Sequence, residues 1–360
     1  MDITTTLAGK RLENPVLPGS GPIGGTAEKL CALSDMGLGA LVTKTITTHE
    51  PVINRPFIYG EKNFIMNCEP WSEYMFDVWK EQFFPLIVEN KKQPLLISLG
   101  YSDDDMRRLI PLFNDFADGF EISTHYVGKD LSPMEKTIRM IRELTDKPVY
   151  MKVSPHFPDP IGFAQMVMEN KGTGIVAINS LGPSMKIDLE TRSVPIGNQD
   201  GQVWMSGPVI KPIALALIHQ IKRAVPACEI IGVGGAASAE DVLEFLLAGA
   251  NAVEILSAAL LYGMDLYKKI IKELPIALEK YHFSSIQQVV ETPLQITTGQ
   301  KQKFTPVMDQ KRCVHCGLCK KVCPFFALET SGEQIKVNVE KCMGCGLCKS
   351  RCPKQAIVGV

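Results

Sequence analysis

Eight cysteines near the C-terminus carry the most specific chemical signal in the chain. They form two runs of the pattern C-x2-C-x2-C-x3-C-P, which are Cys313, Cys316, Cys319 and Cys323, followed by Cys342, Cys345, Cys348 and Cys352. Thiolates at this spacing wrap a [4Fe–4S] cluster, and the fourth cysteine of each run binds the other cluster. The pattern therefore predicts two [4Fe–4S] clusters, one bound by Cys313, Cys316, Cys319 and Cys352 and the other by Cys342, Cys345, Cys348 and Cys323.

Disulfides or zinc sites are the alternative use of these cysteines. Zinc sites take four ligands in paired C-x2-C units, which leaves the third cysteine and the C-P of each run unexplained. The spacing is that of bacterial ferredoxins. It therefore predicts a small ferredoxin-like α+β domain over residues 306–360.

The overall composition excludes several classes of protein. With 360 residues, 45% hydrophobic content and a net charge of −1, the chain can form one large and one small domain, and it has no charge excess for binding nucleic acid. The sequence contains no apolar stretch of membrane-spanning length and no signal peptide. Because iron–sulfur clusters need a reducing compartment, we expect a cytoplasmic protein with no membrane segment.

Residues 1–280 alternate between short apolar runs and amphipathic segments. The strand candidates are Val16–Pro18, Ala40–Lys44, Leu95–Ser98, Gly119–Ser123, Val149–Val153, Ile175–Asn179, Glu229–Gly232 and Ala252–Leu256. The helix candidates are Ala27–Met36, Met106–Phe116, Pro133–Leu144, Pro208–Ala224, Ala239–Leu247 and Tyr262–Lys280. Eight strands alternating with helices predict an α/β fold, a parallel (β/α)8 TIM barrel rather than an open sheet. Residues 281–305 are predicted to connect this barrel to the cluster domain.

Polar residues close two of the strands, at the end where barrel enzymes build their sites. Lys44 and Lys152 each end an apolar run. Their charges should face an anion or an electron-rich ring, although a lysine that extends to the surface is the alternative. Two long connections, Thr45–Trp71 and Leu181–Ser206, begin at the same end, and the second is predicted to be a hairpin or a lid.

Glycines mark a candidate anion site near the last strands. Gly234 and Gly235 follow the seventh strand, where exposed N–H groups bind phosphate in many barrels. The alternative is a tight turn that only requires glycine. Ser206 and Gly207 precede the helix that begins at Pro208, which is a second potential anion-binding position.

Several segments together resemble the dihydroorotate dehydrogenase superfamily. They are LENPVLPGSG at 12–21, VTKT at 42–45, INS at 178–180, SGPVIKP at 206–212 and GVGG at 232–235. With the two cysteine runs, the chain is most similar to the FMN and iron–sulfur part of dihydropyrimidine dehydrogenases, meaning the C-terminal half or catalytic subunit. Asn67-Cys68-Glu69 looks like the substrate loop of that group. The resemblance covers essentially the whole chain.

The resemblance implies roles for individual residues. FMN would be bound by Ser20, Lys44, Thr45, Lys152, Gly207, Gly234, Gly235 and Ser257, and a small-molecule substrate by Asn67, Asn179 and Ser180. Electrons would pass between the two clusters and FMN. They would come from, or go to, an external partner such as an FAD/NAD(P)H subunit or a ferredoxin. An oligomer is also expected from the resemblance.

One loop departs from the family pattern. The family carries a proton-exchanging cysteine after strand four, within Asn-x-Ser-Cys-Pro, whereas this chain has Ser123-Thr124-His125-Tyr126 there. Histidine ordinarily titrates near neutral pH and tyrosine is a weak acid, so either His125 or Tyr126 is a candidate for exchanging the proton. The alternative is that one or both residues form walls of the substrate pocket.

These observations predict a flavin- and iron–sulfur-dependent oxidoreductase that acts on CH–CH groups. It would reduce or oxidise a C=C bond conjugated to a carbonyl, in a cyclic amide such as a pyrimidine, as dihydropyrimidine dehydrogenases do. Two alternatives stay open. One is a dihydroorotate dehydrogenase of pyrimidine synthesis, and the other is a non-catalytic electron-transfer subunit that binds FMN as a relay.

Overall fold

The chain divides into two compact units, Met1–Leu294 and Gln295–Val360. The structure is a computed structural model that describes residues 1–53, 55–69, 71–296, 305–331 and 334–359. The first unit includes residues 281–294, which the sequence placed in the predicted connector. Residues 297–304 of that connector lie outside the described residues.

Eight parallel strands form the TIM barrel predicted from the sequence. They are β1 (Val16–Pro18), β2 (Leu41–Val42), β3 (Leu95–Leu99), β4 (Gly119–Ile122), β5 (Val149–Val153), β6 (Gly174–Ala177), β7 (Glu229–Val233) and β8 (Ala252–Ile255). Each strand pairs with the next in chain order from β2 to β8, and β8 pairs with β1. The Gly39 N–H donates to the Val16 carbonyl at 2.9 Å, which links β1 to the segment entering β2 and closes the barrel.

Helices follow the strands around the barrel. They are Ala27–Ser34, Asp103–Phe113, Ser132–Leu144, Pro160–Glu169, Lys211–Ala224, Ala239–Ala248, Ser257–Tyr262, Leu266–Lys280 and Ile286–Glu291, with short 3-10 turns at Pro22–Gly24 and Pro208–Ile210. A further helical run consists of Phe76–Val78, a π-helical segment Trp79–Phe83, and Phe84–Asn90. No helix in the described ranges is both long and apolar enough to cross a membrane.

Four helical segments of the barrel unit were not among the predicted helices. Two are the short helices Ser257–Tyr262 and Ile286–Glu291, and the other two are the run that starts at Phe76 and Pro160–Glu169. The last two contain a proline that also suits a turn. Pro85 lies in the first turn of Phe84–Asn90, and Pro160 is the first residue of its helix. Pro160 is tolerated because the first N–H groups of a helix have no intrahelical partner. Pro85 instead lies two residues after the π-helical segment, within a continuous helical run.

The amino ends of the strands enclose an apolar layer. Side chains from seven of the strands fill it, namely Leu17, Val42, Leu96, Tyr150, Val176, Ile231 and Ala252. The antiparallel hairpin Thr5–Leu7 and Lys10–Leu12 adds Leu7 and Leu12 to this layer. The barrel interior is therefore a packed core at this end.

The two long connections form a second sheet at the carboxyl ends of the strands. Its four antiparallel strands are Leu181–Ser184, Val203–Ser206, Ile65–Asn67 and Ile58–Gly60, paired in that order. The connection after β6 is thus a hairpin, and it pairs with the connection after β2. We call this four-stranded element the cap sheet.

The second unit is small and built around its cysteines. It has the antiparallel pair Val307–Met308 and Ile357–Val358, the hairpin Leu328–Ser331 and Gln334–Val337, and the short helices Leu318–Lys321 and Leu347–Arg351. Its core is Cys319, Leu328, Ile335, Cys348 and Ile357. Two strand pairs and two helices are the ferredoxin-like α+β arrangement expected from the sequence.

Candidate functional site

A cavity of about 390 Å³ lies at the carboxyl ends of the barrel strands. It is lined by most of the site residues predicted outside the cysteine runs, namely Ser20, Lys44, Thr45, Asn67, His125, Lys152, Asn179, Ser180, Gly234, Gly235 and Ser257. These residues come from strand ends and from the cap sheet. The cavity is therefore assembled from segments that are far apart in the sequence.

Two predicted site residues do not line the cavity. The Tyr126 hydroxyl donates to the Asp130 carbonyl at 2.6 Å, and the Tyr126 ring packs against Phe157. Gly207 does not line the cavity, but its neighbour Ser206 does. Its carbonyl oxygen is 2.9 Å from the position that a Cβ on Gly235 would occupy, so Gly207 helps to shape the wall.

A buried charge cluster forms the floor of the cavity. Lys152 Nζ lies 3.1 Å from Glu121 Oε1 and 3.7 Å from Glu254 Oε2, and both carboxyl side chains have 0% exposure. Ser20 Oγ donates to Glu121 Oε1 at 2.6 Å, and Ser98 Oγ does so at 3.0 Å. One cation thus faces two carboxyl groups in the barrel interior.

Opposing effects set the protonation of these three groups. Burial acts to lower the pKa of Lys152, but the charges of Glu121 and Glu254 outweigh it and raise that pKa. Burial acts to raise the pKa of Glu121, but the Lys152 charge and hydrogen bonds from Glu254 and Ser20 hold it below its usual range. Burial and the Glu121 charge raise the pKa of Glu254 well above its usual range. The cluster therefore favours a charged Lys152, an ionised Glu121 and a protonated Glu254.

Lys44 is also paired with carboxylates. Its Nζ lies 3.0 Å from Glu69 Oε2 and 3.5 Å from Glu73 Oε1, and its side chain is buried. Burial raises the pKa of Glu69, and the Lys44 charge only partly opposes this. Lys44 Nζ makes no well-aligned hydrogen bond within the described part of the chain. It therefore keeps donor capacity for a group bound in the cavity.

The wall beside β7 and β8 is shaped by glycines. Gly234 and Gly235 have φ values of 116° and 107°, a region that side chains with a Cβ rarely adopt. A Cβ on Gly235 would come within 2.9 Å of backbone atoms at Lys211 and Gly207. Ser257, whose Oγ lies 2.7 Å from Ser206 Oγ, begins the helix that follows β8. Backbone N–H groups and hydroxyls at this wall are suited to a phosphate.

The opposite wall carries an amide with a defined orientation. The Ser180 N–H donates to Asn179 Oδ1 at 3.0 Å, so Asn179 Nδ2 faces His125 Nε2 at 2.7 Å and Ser123 Oγ at 3.4 Å. Because Nδ2 can only donate, His125 Nε2 is the acceptor and the imidazole carries its proton on Nδ1. Asn67 Nδ2 donates to the Trp204 carbonyl at 3.4 Å, within the cap sheet.

His125 is neutral at physiological pH. Desolvation is the main cause that lowers its pKa, to about 4, and the Lys152 charge adds to the effect. The ring is exposed to the open cavity, so filling the cavity will strengthen the desolvation. Trp71 packs edge-on against the imidazole with ring centroids 4.9 Å apart. The imidazole is thus held in place with an unprotonated nitrogen at the cavity.

Several lining residues were not predicted from the sequence, among them Glu254, Trp71 and Trp204. A sequence signal existed for the buried carboxyl groups. Glu121 and Glu254 each stand third in a four-residue strand that is otherwise apolar or glycine. A charged residue inside a buried strand marks a polar position of the barrel interior. The tryptophans lie in the long connections, where periodicity is uninformative.

The cysteine runs of the second unit surround two separate small cavities. One is lined by Cys313, Cys316, Cys319 and Cys352, and the other by Cys323, Cys342, Cys345 and Cys348. Each cavity thus receives three cysteines from one run and the fourth from the other run, which is the exchange expected for two clusters.

The thiols are available as ligands. All eight cysteines are free of disulfides. Among the described residues, no group of three His, Cys, Asp or Glu side chains is arranged to hold a single metal ion. Four free thiols surround each cavity, which is the number of ligands that a [4Fe–4S] cluster takes.

Known protein families match both parts of the chain. The family described as dihydroorotate dehydrogenase matches residues 2–278, and the 4Fe-4S dicluster domain matches residues 305–353. The dihydroorotate dehydrogenase B (NAD(+)) catalytic subunit of Methanothermobacter thermautotrophicus is 28% identical over 300 residues, covering 80% of this chain and 97% of the relative. The corresponding subunit of Oceanobacillus iheyensis is 31% identical, covering 81% and 98%. Dihydroorotate dehydrogenase A (fumarate) of Limosilactobacillus reuteri is 30% identical, covering 80% and 97%.

Proposed function

The chain belongs to the dihydroorotate dehydrogenase family, whose members are flavin-dependent oxidoreductases acting on CH–CH groups, and from this premise we propose its particular reaction. It transfers hydrogen at a C–C bond conjugated to a carbonyl, in a cyclic amide of the pyrimidine type. Electrons are exchanged through two [4Fe–4S] clusters in the second unit. The observation that carries the proposal is the meeting of Asn67, Asn179 and His125 in the cavity that Lys44 and Lys152 also line.

FMN fits the residues of this cavity. The Gly234–Gly235 wall and Ser257 would bind its phosphate, because they line the cavity with backbone N–H groups and a hydroxyl. Lys44 and Lys152 would face the ring system. When bound, FMN supplies hydride transfer and the exchange between one-electron and two-electron chemistry.

The amide of Asn179 and the ring of His125 would act on the substrate. Asn179 Oδ1 is held by the Ser180 N–H, which leaves Nδ2 to donate to a substrate carbonyl in place of His125 Nε2. His125 Nε2 is then free to accept a proton from the carbon next to that carbonyl. In the opposite direction, the protonated ring returns the proton to the same carbon.

Dihydroorotate is a second candidate substrate, because the relatives above are named dihydroorotate dehydrogenases. A neutral imidazole is ready to accept a proton, which suits oxidation of a dihydropyrimidine. We therefore propose that the substrate is either a pyrimidine base or orotate, in its oxidised or its dihydro form. The electron partner is then a separate protein, either an FAD- and NAD(P)H-binding subunit or a ferredoxin.

The substrate is tested with the anaerobically purified protein. Flavin absorbance is followed after adding dihydroorotate or dihydrouracil to the oxidised protein, and orotate, uracil or thymine to the dithionite-reduced protein. A response to uracil, thymine or dihydrouracil supports the pyrimidine base, and a response to the orotate pair alone supports dihydroorotate dehydrogenation. Absence of any response contradicts the proposed substrate class.

The role of His125 is tested by His125→Asn, with Tyr126→Phe as the matched control from the same loop. We expect His125→Asn to lower the rate of flavin reduction or reoxidation by substrate about 100- to 10,000-fold while the bound flavin is retained, since a general acid–base group contributes that much. Tyr126→Phe should stay close to the unmodified protein, because Tyr126 does not line the cavity. The opposite ranking of the two variants would assign the proton exchange to Tyr126.

An electron-transfer relay predicts a different result. A relay does not need Asn179, so Asn179→Ala would leave every measured electron transfer intact. The proposed enzyme instead loses substrate turnover in Asn179→Ala, while dithionite still reduces its flavin and clusters.

A further inference from the structure

We infer that Glu254 is a proton-holding residue of the cofactor cavity, and that its proton sets the charge that the cavity floor presents to the flavin. The inference rests on the proposal that FMN occupies this cavity. It concerns Glu254 as a positioning residue that acts through Lys152, and it requires no particular substrate.

The buried cluster of two carboxyl groups and one lysine is electrically neutral only if one of the two carboxyl groups holds a proton. Glu121 and Glu254 both have 0% side-chain exposure and face the single cation of Lys152. If both carboxyl groups were ionised, a net negative charge would lie in the barrel interior, which costs several kcal/mol even after relaxation, on the order of the penalty for one unpaired buried ion. One bound proton makes the cluster neutral.

The hydrogen bonds decide which carboxyl group holds that proton. Glu121 Oε1 accepts from Ser20, Ser98 and Lys152, all at 3.1 Å or less, and three donors favour an ionised acceptor. Neither oxygen of Glu254 accepts a well-aligned hydrogen bond from a donor among the described residues, and its contact with Lys152 is 3.7 Å. The proton therefore resides on Glu254.

Three titratable groups face Glu254 from the elements packed around it. Glu121 comes from β4 and Lys152 from β5. Tyr267 comes from helix Leu266–Lys280, and its hydroxyl donates to the Ile255 carbonyl at 2.5 Å. Burial raises the pKa of Tyr267, so this phenol stays neutral. Glu254 is thus the group whose ionisation changes the charge of the cluster.

Glu254 also lines the cavity itself, so its proton and the charge of a bound flavin affect each other. Added negative charge in the cavity favours protonated Glu254. By linkage, protonated Glu254 favours that negative charge to the same extent. Between the pKa of Glu254 in the oxidised protein and its higher pKa in the reduced protein, reduction by dithionite, which supplies the electrons, is therefore accompanied by uptake of a solvent proton at the Glu254 carboxylate. Outside that interval, no such uptake occurs at Glu254.

The test compares the holoprotein with Glu254→Gln, which mimics the protonated carboxyl group. The two-electron reduction of the bound flavin is measured by equilibration with reference dyes across a pH series. At the alkaline end, we expect the unmodified protein to prefer reduced over oxidised flavin about tenfold less than Glu254→Gln does. This difference makes the two-electron reduction potential of its flavin about 30 mV lower. At the acid end, the two proteins should coincide. Identical pH profiles over the whole series would overturn the inference.

Glu229→Gln is the matched control. Glu229 lies at the amino end of β7, where it accepts from the Tyr150 hydroxyl and the Ala8 N–H, away from the cavity. This variant should reproduce the pH profile of the unmodified protein. An equal change in Glu229→Gln and Glu254→Gln would show a general charge effect and would also overturn the assignment.

A second measurement uses the unmodified protein and therefore needs no variant. The infrared spectrum of the unmodified protein should contain the C=O band of a protonated carboxyl group at pH 7, perturbed when the flavin is reduced and lost at high pH. Absence of such a band at pH 7 would refute the inference even if Glu254→Gln failed to fold. Because neither measurement uses a substrate, failure of the proposed reaction leaves this test intact. A protein that binds no flavin would instead overturn the proposed function.

Discussion

The two units relate their sites to their cores in opposite ways. In the second unit, Cys319 and Cys348 are members of the hydrophobic core, beside Leu328, Ile335 and Ile357. In the barrel unit, none of the buried side chains of the apolar layer at the amino ends of the strands lines the cavity. The small unit thus builds its core partly from its site residues, whereas the barrel has an apolar layer whose buried side chains lie apart from its site.

This difference follows from size. A small domain buries too little apolar surface to be stable alone, so metal ligation commonly supplies folding free energy. A TIM barrel has enough core to tolerate a polar layer that contributes little to stability. We therefore expect substitutions to couple folding and cofactor binding in the second unit and to separate them in the first.

The largest expected effect is that of Cys319→Ser. It removes a predicted cluster ligand and a core side chain together, so the second unit should lose a cluster and its ordered fold. Iron and sulfide analysis and limited proteolysis measure the two losses. Cys31→Ser in the first unit is the control, since Cys31 is a free, half-buried cysteine of helix Ala27–Ser34. A protease-resistant second unit with full iron content in Cys319→Ser would break the comparison.

Leu17→Ala should have an intermediate effect on stability. Leu17 is fully buried in the apolar layer, so its truncation should lower the free energy of unfolding by about 2–5 kcal/mol. The flavin content of the folded protein should not change, because Leu17 does not line the cavity. Denaturant unfolding and flavin stoichiometry measure the two quantities. Loss of flavin at a temperature where the variant is folded would show that core and site are coupled after all.

The smallest expected effect concerns acid stability of the barrel. Asp105 accepts hydrogen bonds from Thr48, Tyr101 and Ser102, and backbone and hydroxyl donors lower its pKa to about 2 although burial opposes this. A lowered pKa stabilises the folded state above the unfolded value near 4, and this stability is lost as the pH falls toward 2. Asp105→Asn should therefore cost about 2 kcal/mol at pH 7 and less at pH 2.

Urea unfolding of Asp105→Asn and the unmodified protein at several pH values measures this difference. Asp105 ties the start of the long connection after β2 to the helix after β3, and it does not touch the cavity. The flavin content should again be unaffected. A cost that is constant with pH would show that Asp105 stabilises the barrel by packing rather than by its charge.

The sequence by itself determined the elements that depend on short separations along the chain. Cluster ligands two and three residues apart can be recognised because thiolates at that spacing reach one cluster with little help from the rest of the protein. The eight barrel strands were also predictable, since buried parallel strands are short apolar runs between amphipathic segments. Lys44 and Lys152 were found because a charge at the end of such a run is conspicuous.

Only the tertiary structure decided how distant residues combine. His125 and Tyr126 are adjacent in the sequence, yet one faces the cavity and the other packs against Phe157, because the backbone at His125 turns with φ of 54°. Lys152 and Glu121 lie on the neighbouring strands β5 and β4, but the contact of Lys152 with Glu254 on β8 depends on the closed barrel, since β5 and β8 are not neighbours in the sheet. Side-chain direction and closure are set by packing over the whole fold, and no local pattern of residues encodes them.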